Sequence, residues 1–167
     1  MADARTKAYA AAGAIFVLDR ASKWIVERYV TLSDDYRVIP GLFDIVRSQN
    51  RGVAFGIGND SAGTWLTLLL PVVSLAAVVL IAGILWRGQR MEKLTLWGLA
   101  CILGGAAGNV FDRLASGQVT DFLELYIGQY HWPTFNVADS AIVIGSGLFL
   151  IDAFRSKRQI ASLSGDI

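Results

Sequence analysis

The stretch Ser61–Trp86 contains no charged side chain. A helix that crosses a bilayer needs about 20 mostly apolar residues, so this stretch is long enough to span one. Pro71 is compatible with such a helix because neighbouring helices can satisfy the carbonyl group that proline leaves unpaired. We therefore expect the chain to be built around a membrane-spanning helix.

The composition agrees with a membrane protein. Hydrophobic residues make up 54% and charged residues 17% of the 167 residues, and the mean hydropathy is +0.47. The net charge of +1 gives no reason to expect a nucleic-acid partner. Cys101 is the single cysteine, so no intramolecular disulfide can form. The sequence shows no internal repeat or linker, and we expect one integral-membrane domain over residues 1–167.

Three further stretches could cross a bilayer. The first predicted helix covers about residues 8–30, although its second half carries Asp19, Arg20 and Lys23. It resembles a signal peptide at its start, but no small-residue cleavage site follows, so we expect a retained helix. The other two are predicted over about residues 94–113 and 137–154. The predicted fold class is an all-α membrane protein with four transmembrane helices and outer-face loops at residues 31–60 and 114–136.

The positive charges indicate the orientation of these helices. Lys and Arg residues precede the first helix, join the second to the third and follow the fourth, whereas residues 114–135 contain none. By the positive-inside rule, both termini are cytoplasmic. The polar motifs then lie at the outer end of the helices, and we expect the tail after Ile160 to lack regular structure.

The first outer loop is long enough to have structure of its own. Tyr36–Ile39 and Leu42–Arg47 are predicted to be short strands around a turn at Gly41. The segment Asn50–Gly58 follows and is rich in glycine and apolar residues. Its apolar side chains would be exposed in a plain surface loop, so we expect it to lie on the membrane surface over the site.

Several charged and amide side chains lie at the predicted helix ends. Asp19 and Lys23 are four residues apart on the first helix, which favours a mutually paired, buried couple. Asn136 and Asp139 precede an apolar run and resemble a helix cap with an acid in the first turn. Asp121 follows the third helix and Asp139 begins the fourth, so both are expected at the same depth on the same side.

Two carboxylates in a partly dry site share a proton, because both cannot ionise cheaply. One can activate water while the other polarises a carbonyl, which would cleave amide bonds without a metal or a Ser or Cys nucleophile. Two alternatives remain open. A small transporter or channel subunit would use Asp19, Lys23 and Asp139 as an ion path. A non-enzymatic assembly factor would use the glycine-rich third helix as a packing face.

Five short motifs occur along the chain. They are Asp19-Arg-Ala-Ser-Lys23, Asn50-Arg-Gly-Val-Ala-Phe55, Gly104-Gly-Ala-Ala-Gly-Asn-Val-Phe-Asp-Arg113, Val119-Thr-Asp-Phe122 and Phe135-Asn-Val-Ala-Asp139. With these motifs in this order and four predicted spans, the sequence resembles the bacterial lipoprotein signal peptidases, or type II signal peptidases. The resemblance covers essentially the whole chain.

The resemblance implies an aspartyl endopeptidase of the bacterial inner membrane, in contact with lipid, with its active site at the periplasmic face. Its substrates would be diacylglyceryl-modified prolipoproteins, cleaved just before the lipidated cysteine. We expect a monomer that needs no cofactor or metal. The resemblance adds a small extracytoplasmic β-cradle and a short periplasmic helix in the second outer loop. It implies Asp121 and Asp139 as the catalytic pair, supported by Asp19, Lys23, Asn50, Gly52, Gly105, Asn109, Arg113 and Asn136.

Overall fold

A computed structural model describes residues 2–51, 64–87 and 91–164. Its four helices are α1 (Ala2–Tyr29), α2 (Thr64–Arg87), α3 (Lys93–Ser116) and α4 (Val137–Ser164). Its four strands are β1 (Asp35–Ile39), β2 (Phe43–Asn50), β3 (Val119–Ile127) and β4 (Tyr130–His131). The chain is therefore mostly helical and carries one small antiparallel sheet.

The helices differ in how apolar they are. Within the described ranges, α3 and residues Val137–Arg155 of α4 are long and apolar enough to cross a membrane. The part of α2 from Pro71 to Arg87 is a shorter apolar stretch. Helix α1 is 28 residues long, but the charged side chains in its second half make it less apolar than α3.

Close helix packing places α3 between α1 and α4. A Cβ atom at Gly104 would overlap the carbonyl oxygen of Ala12 on α1. A Cβ atom at Gly105 would overlap the carbonyl oxygen of Ala138 on α4. Glycine at these two positions leaves room for both neighbouring helices.

The sheet has the strand order β1-β2-β3-β4, with every pair antiparallel. The turn between β1 and β2 contains Gly41 at φ +82°, which confirms the predicted turn. In the β2–β3 pair, Asn50 lies opposite Val119 and Ser48 lies opposite Asp121. This register brings the end of β2 beside the strand that follows α3.

The connection between α3 and α4 differs from the prediction. We expected a short periplasmic helix there, but the structure has β3 and β4 instead. The sequence of β3 is rich in residues that favour strands, among them Val119, Phe122 and Tyr126. Its pairing with β2 satisfies the backbone hydrogen-bonding groups, so tertiary contacts favour the strand over the helix.

Two helices extend beyond their predicted ends. Helix α3 continues to Ser116 and is capped by Gly117, whose backbone N–H donates to the carbonyl oxygen of Arg113 at 3.0 Å. Helix α4 continues to Ser164, so the expectation of an irregular tail after Ile160 is wrong. No glycine or proline interrupts the sequence from Phe154 to Ser164, which explains the extension.

Candidate active site

Asp121 lies on β3 and its side chain is only 2% exposed. Its Oδ1 accepts a hydrogen bond from Asn136 Nδ2 at 2.7 Å. Its Oδ2 accepts one from Asn50 Nδ2 at 3.1 Å. Asn50 is the last residue of β2, and Asn136 directly precedes α4. Three separate segments therefore meet at this carboxyl group.

Asp139 lies in the first turn of α4. Its Oδ1 accepts a hydrogen bond from Asn109 Nδ2 at 2.8 Å, and its Oδ2 accepts one from the Asn136 backbone N–H at 3.2 Å. The Asp139 backbone N–H in turn donates to Asn136 Oδ1 at 2.9 Å. The predicted helix cap is therefore confirmed as a reciprocal pair, and Asp139 belongs both to this cap and to the site.

Both aspartates line one cavity of about 620 Å³. The predicted site residues Asn50, Asn109 and Arg113 also line it. Most of the remaining wall is apolar and comes from the loop before α4 and from α4 itself, including Trp132, Pro133, Phe135, Ile142 and Val143. The arrangement combines a few convergent polar groups with an apolar wall, which is typical of a substrate site.

Lys23 and Asp19 are fully buried behind this cavity and pair at 2.8 Å, as predicted. The Lys23 Nζ also lies 3.0 Å from Asn109 Oδ1 and 2.6 Å from Asp112 Oδ2. The contacts of Lys23 with Asp19 and Asn109 are hydrogen bonds, and its contact with Asp112 is an ion pair. These contacts offset the cost of burying the charge.

Asp19 also joins α1 to α4. Its Oδ1 accepts the backbone N–H of Ala138 at 2.9 Å, which satisfies one of the free donors in the first turn of α4. A Cβ atom at Gly108 on α3 would overlap the Asp19 carboxylate. The buried carboxylate thus anchors the end of the helix that carries Asp139, and Gly108 makes room for it.

The environment of Asp121 favours its protonated form. Burial, together with the nearby Asp139 carboxylate, raises the pKa of Asp121 to about 6. Hydrogen bonds from Asn50 and Asn136 lower the pKa but only partly offset these effects. The two carboxylates therefore interact, and below about pH 6 they hold one proton between them.

A family model for signal peptidase (SPase) II matches residues 11–155 of this chain. The chain belongs to the signal peptidase II family. This is a family of aspartic peptidases, and the match includes every residue that the sequence analysis assigned to the site.

Individual relatives agree with the family assignment. The chain is 61% identical to the lipoprotein signal peptidase of Solibacter usitatus (strain Ellin6076), over 98% of this chain and 100% of the relative. It is 41% identical to the lipoprotein signal peptidase of Sulfurihydrogenibium sp. (strain YO3AOP1), over 89% of this chain and 91% of the relative.

The fold is also similar to that of two solved bacterial membrane enzymes, both determined by the in meso method. The structure at 1.9 Å resolution has a TM-score of 0.77 and 25% identity, over 89% of this chain and 92% of that chain. The structure at 2.3 Å resolution has a TM-score of 0.81 and 24% identity, over 91% and 90%, and shows the fold alone. As a member of the signal peptidase II family, the chain is a membrane enzyme.

Some residues that support the site were given no role in it from the sequence. Asp112 is 4% exposed and forms ion pairs with both Lys23 and Arg20. Its position three residues after Asn109 places both on one face of α3, and this spacing could have identified it. The Thr120 hydroxyl donates to Glu27 Oε1 at 2.6 Å, a contact between β3 and α1 that sequence spacing could not reveal.

Two further predictions have different outcomes. Gly52, and the segment Asn50–Gly58 beyond Arg51, lie outside the described residues, so their expected place over the site stays a prediction. Gly105 does not line the cavity but lies at the α3–α4 crossing. In the described part of the chain, no group of three or more His, Cys, Asp or Glu residues is placed to hold a metal ion.

Proposed function

We propose that this enzyme removes the signal peptide from diacylglyceryl-modified prolipoproteins by cleaving just before the lipidated cysteine. The observation that carries the proposal is the convergence of Asp121 and Asp139 on one mostly apolar cavity. The relatives are lipoprotein signal peptidases, which supports the class of substrate. The apolar wall suits a substrate that carries both a signal helix and acyl chains.

The proposed chemistry uses the two aspartates as an acid and a base. The ionised carboxylate takes a proton from a water molecule as the water oxygen adds to the scissile carbonyl carbon. The protonated carboxyl donates a hydrogen bond to the carbonyl oxygen. When the C–N bond breaks, the leaving amine takes up a proton, and the pair again holds one proton. The three asparagines that donate to the aspartates hold both carboxyl groups in place.

The remaining site residues support this pair. Asp19 and Lys23 hold the start of α4 and the amide of Asn109 from behind the cavity. Arg113 lines the cavity, so its guanidinium is placed to balance negative charge at the pair. Such electrostatic support matters most in a site that excludes water.

We also propose that the chain is a single domain that spans the inner membrane four times, over about residues 8–30, 61–86, 94–113 and 137–154. Both termini would be cytoplasmic and the site would face the periplasm. The distribution of Lys and Arg supports this orientation. Val143 and Ile144 line the cavity and are 71% and 59% exposed, which supports an opening toward lipid. A membrane-anchored substrate could then enter by lateral diffusion. The enzyme would act as a monomer, because one chain supplies both aspartates and their hydrogen-bond donors.

The substrate proposal is tested with purified enzyme in detergent and two forms of one prolipoprotein, with and without the diacylglyceryl group. Mass spectrometry of the products should locate the cut directly before the lipidated cysteine, and the lipid-free form should remain uncut. Cleavage at another bond, or equal cleavage of both forms, would contradict the proposed specificity.

A further inference from the structure

Two asparagine side chains stand between the aspartates and the rest of the buried network. Asn109 Nδ2 donates to Asp139 Oδ1, and Asn136 Nδ2 donates to Asp121 Oδ1. A side-chain amide has a donor at one end and an acceptor at the other. Whatever fixes one end of the amide therefore decides whether the aspartate meets an N–H group or a carbonyl oxygen.

Donor groups fix the far end of Asn109. The Lys23 ammonium can only donate, and its Nζ lies 3.0 Å from Asn109 Oδ1. Asn136 Nδ2 lies 3.3 Å from the same oxygen and also donates to it. If the amide were reversed, two N–H groups would face its own N–H group, and its carbonyl oxygen would face the Asp139 carboxylate. Both donors therefore commit Asn109 to offer an N–H group to Asp139, and Lys23 is the charged and closer of the two.

The far end of Asn136 is fixed in the same way by the backbone. The N–H group of Asp139 can only donate, and it lies 2.9 Å from Asn136 Oδ1. Asn136 must then turn its Nδ2 toward Asp121. The orientation of both amides thus follows from donors that cannot act as acceptors.

We propose that Lys23 is a positioning residue for the peptidase reaction. Through Asn109, it keeps an N–H donor on Asp139 and so holds that carboxylate in its ionised form, as the group that takes the proton from water. This inference rests on the proposed function. Asp121 is then the group that holds the shared proton.

The location of the two aspartates supports this division of roles. Asp139 lies in the first turn of α4, where the helix dipole favours a negative charge. Asp121 lies in a strand, and its raised pKa agrees with the role of proton carrier. The charged groups near Asp139 come from every element around it: Arg113 from α3, Asp121 from β3, and Asp19 and Lys23 from α1.

The test is the pH dependence of kcat/KM for Lys23→Met and the wild type. Without Lys23, Asn109 is held less firmly with its N–H group toward Asp139, so the acidic limb should move up by about one pH unit or more. Arg20→Met is the matched control, because it removes a positive charge from the same ion-pair cluster without a contact to Asn109. Its acidic limb should stay at the wild-type position.

A second pair of variants covers the case in which Lys23→Met does not fold. Asp19→Asn together with Lys23→Met removes one charge of each sign, and the new amide oxygen can still accept the Ala138 N–H. Asp19→Asn alone keeps Lys23 on Asn109 and serves as its control. The acidic limb of kcat/KM should move to higher pH only in the double variant. A uniform loss of rate with an unmoved limb would show a merely structural role and would overturn the proposal.

A titration that does not depend on turnover separates this inference from the proposed function. Infrared difference spectra of the carboxyl groups identify the Asp139 band by its loss in Asp139→Asn. That band should titrate at higher pH in Lys23→Met than in the wild type. The shift would support the positioning role even if the lipidated substrate were not cleaved, and an unshifted band would overturn it in an active enzyme.

Discussion

Asn136 Nδ2 donates to Asp121 Oδ1 at 2.7 Å, so the residue that caps α4 also holds the aspartate of β3. One side chain thus joins the helix that carries Asp139 to the strand that carries Asp121. Any movement of the start of α4 would change the position of both carboxyl groups. Helix capping and the geometry of the active site are therefore coupled in this enzyme.

Substitutions at Asn136 can separate its role as a helix cap from its hydrogen bond to Asp121. Asn136→Ala should lose the cap, at about 0.5–2 kcal/mol of stability, and also the bond to Asp121. Asn136→Ser can still cap the helix but is too short to reach Asp121, so it should recover stability without recovering activity. We expect kcat/KM to fall about 10- to 100-fold in both variants. Recovery of activity in the Ser variant would show that only the cap matters.

Gly108 provides a test of the buried Asp19 contact. Gly108→Ala would place a methyl group against the Asp19 carboxylate, and such overpacking typically costs about 1–3 kcal/mol. We expect a lower thermal midpoint and lower activity, because the Ala138 N–H would lose its partner. Gly13→Ala is the control, since nothing lies within 4 Å of its added Cβ atom. Equal midpoints for the two variants would argue against the close contact.

The raised pKa of Asp121 predicts how stability changes with pH. Because the folded state favours the protonated carboxyl, its stabilising effect is complete below the unfolded pKa near 3.8 and is lost as pH rises through about 6. The loss is on the order of 3 kcal/mol. Asp121→Asn cannot ionise, so its unfolding free energy relative to the wild type should rise between pH 4 and pH 7. A difference that stays constant across this range would contradict the assignment.

The same pKa predicts the pH dependence of turnover. A pair that works with one shared proton loses activity when that proton leaves, so kcat/KM should fall as pH rises above about 6. Steady-state rates from pH 4 to pH 9, with the fold monitored by circular dichroism, would show this basic limb. A flat profile across this range would show that the reaction needs no shared proton.

Local signals in the sequence were sufficient for much of the helical part. Long apolar runs located all four helices, because burial or lipid contact requires them. The four-residue spacing of Asp19 and Lys23 indicated their pair. The cap at Asn136 follows from its place before an apolar run. Each of these features is determined by residues that are close in sequence.

Contacts between segments that are far apart in the sequence could not be predicted from the sequence. Strand β3 contains residues that favour strands, but its pairing with β2, which comes from the other outer loop, could not be predicted from its own sequence. The bond from the Ala138 N–H to Asp19 joins α4 to α1 and depends on the space at Gly108. Both are determined by packing in three dimensions.

The most direct test of the account is cleavage of a diacylglyceryl-modified prolipoprotein by Asp121→Asn and Asp139→Asn in the presence of EDTA. Asp152→Asn is the matched control, because Asp152 lies about 20 Å along α4 from Asp139 and bonds to Thr95. We predict that the wild type and Asp152→Asn cleave fully with EDTA present. Each of the other two variants should be folded and slower by a factor of about 10²–10⁴ or more. Full activity in either variant, or loss of wild-type activity in EDTA, would contradict a metal-free aspartate pair.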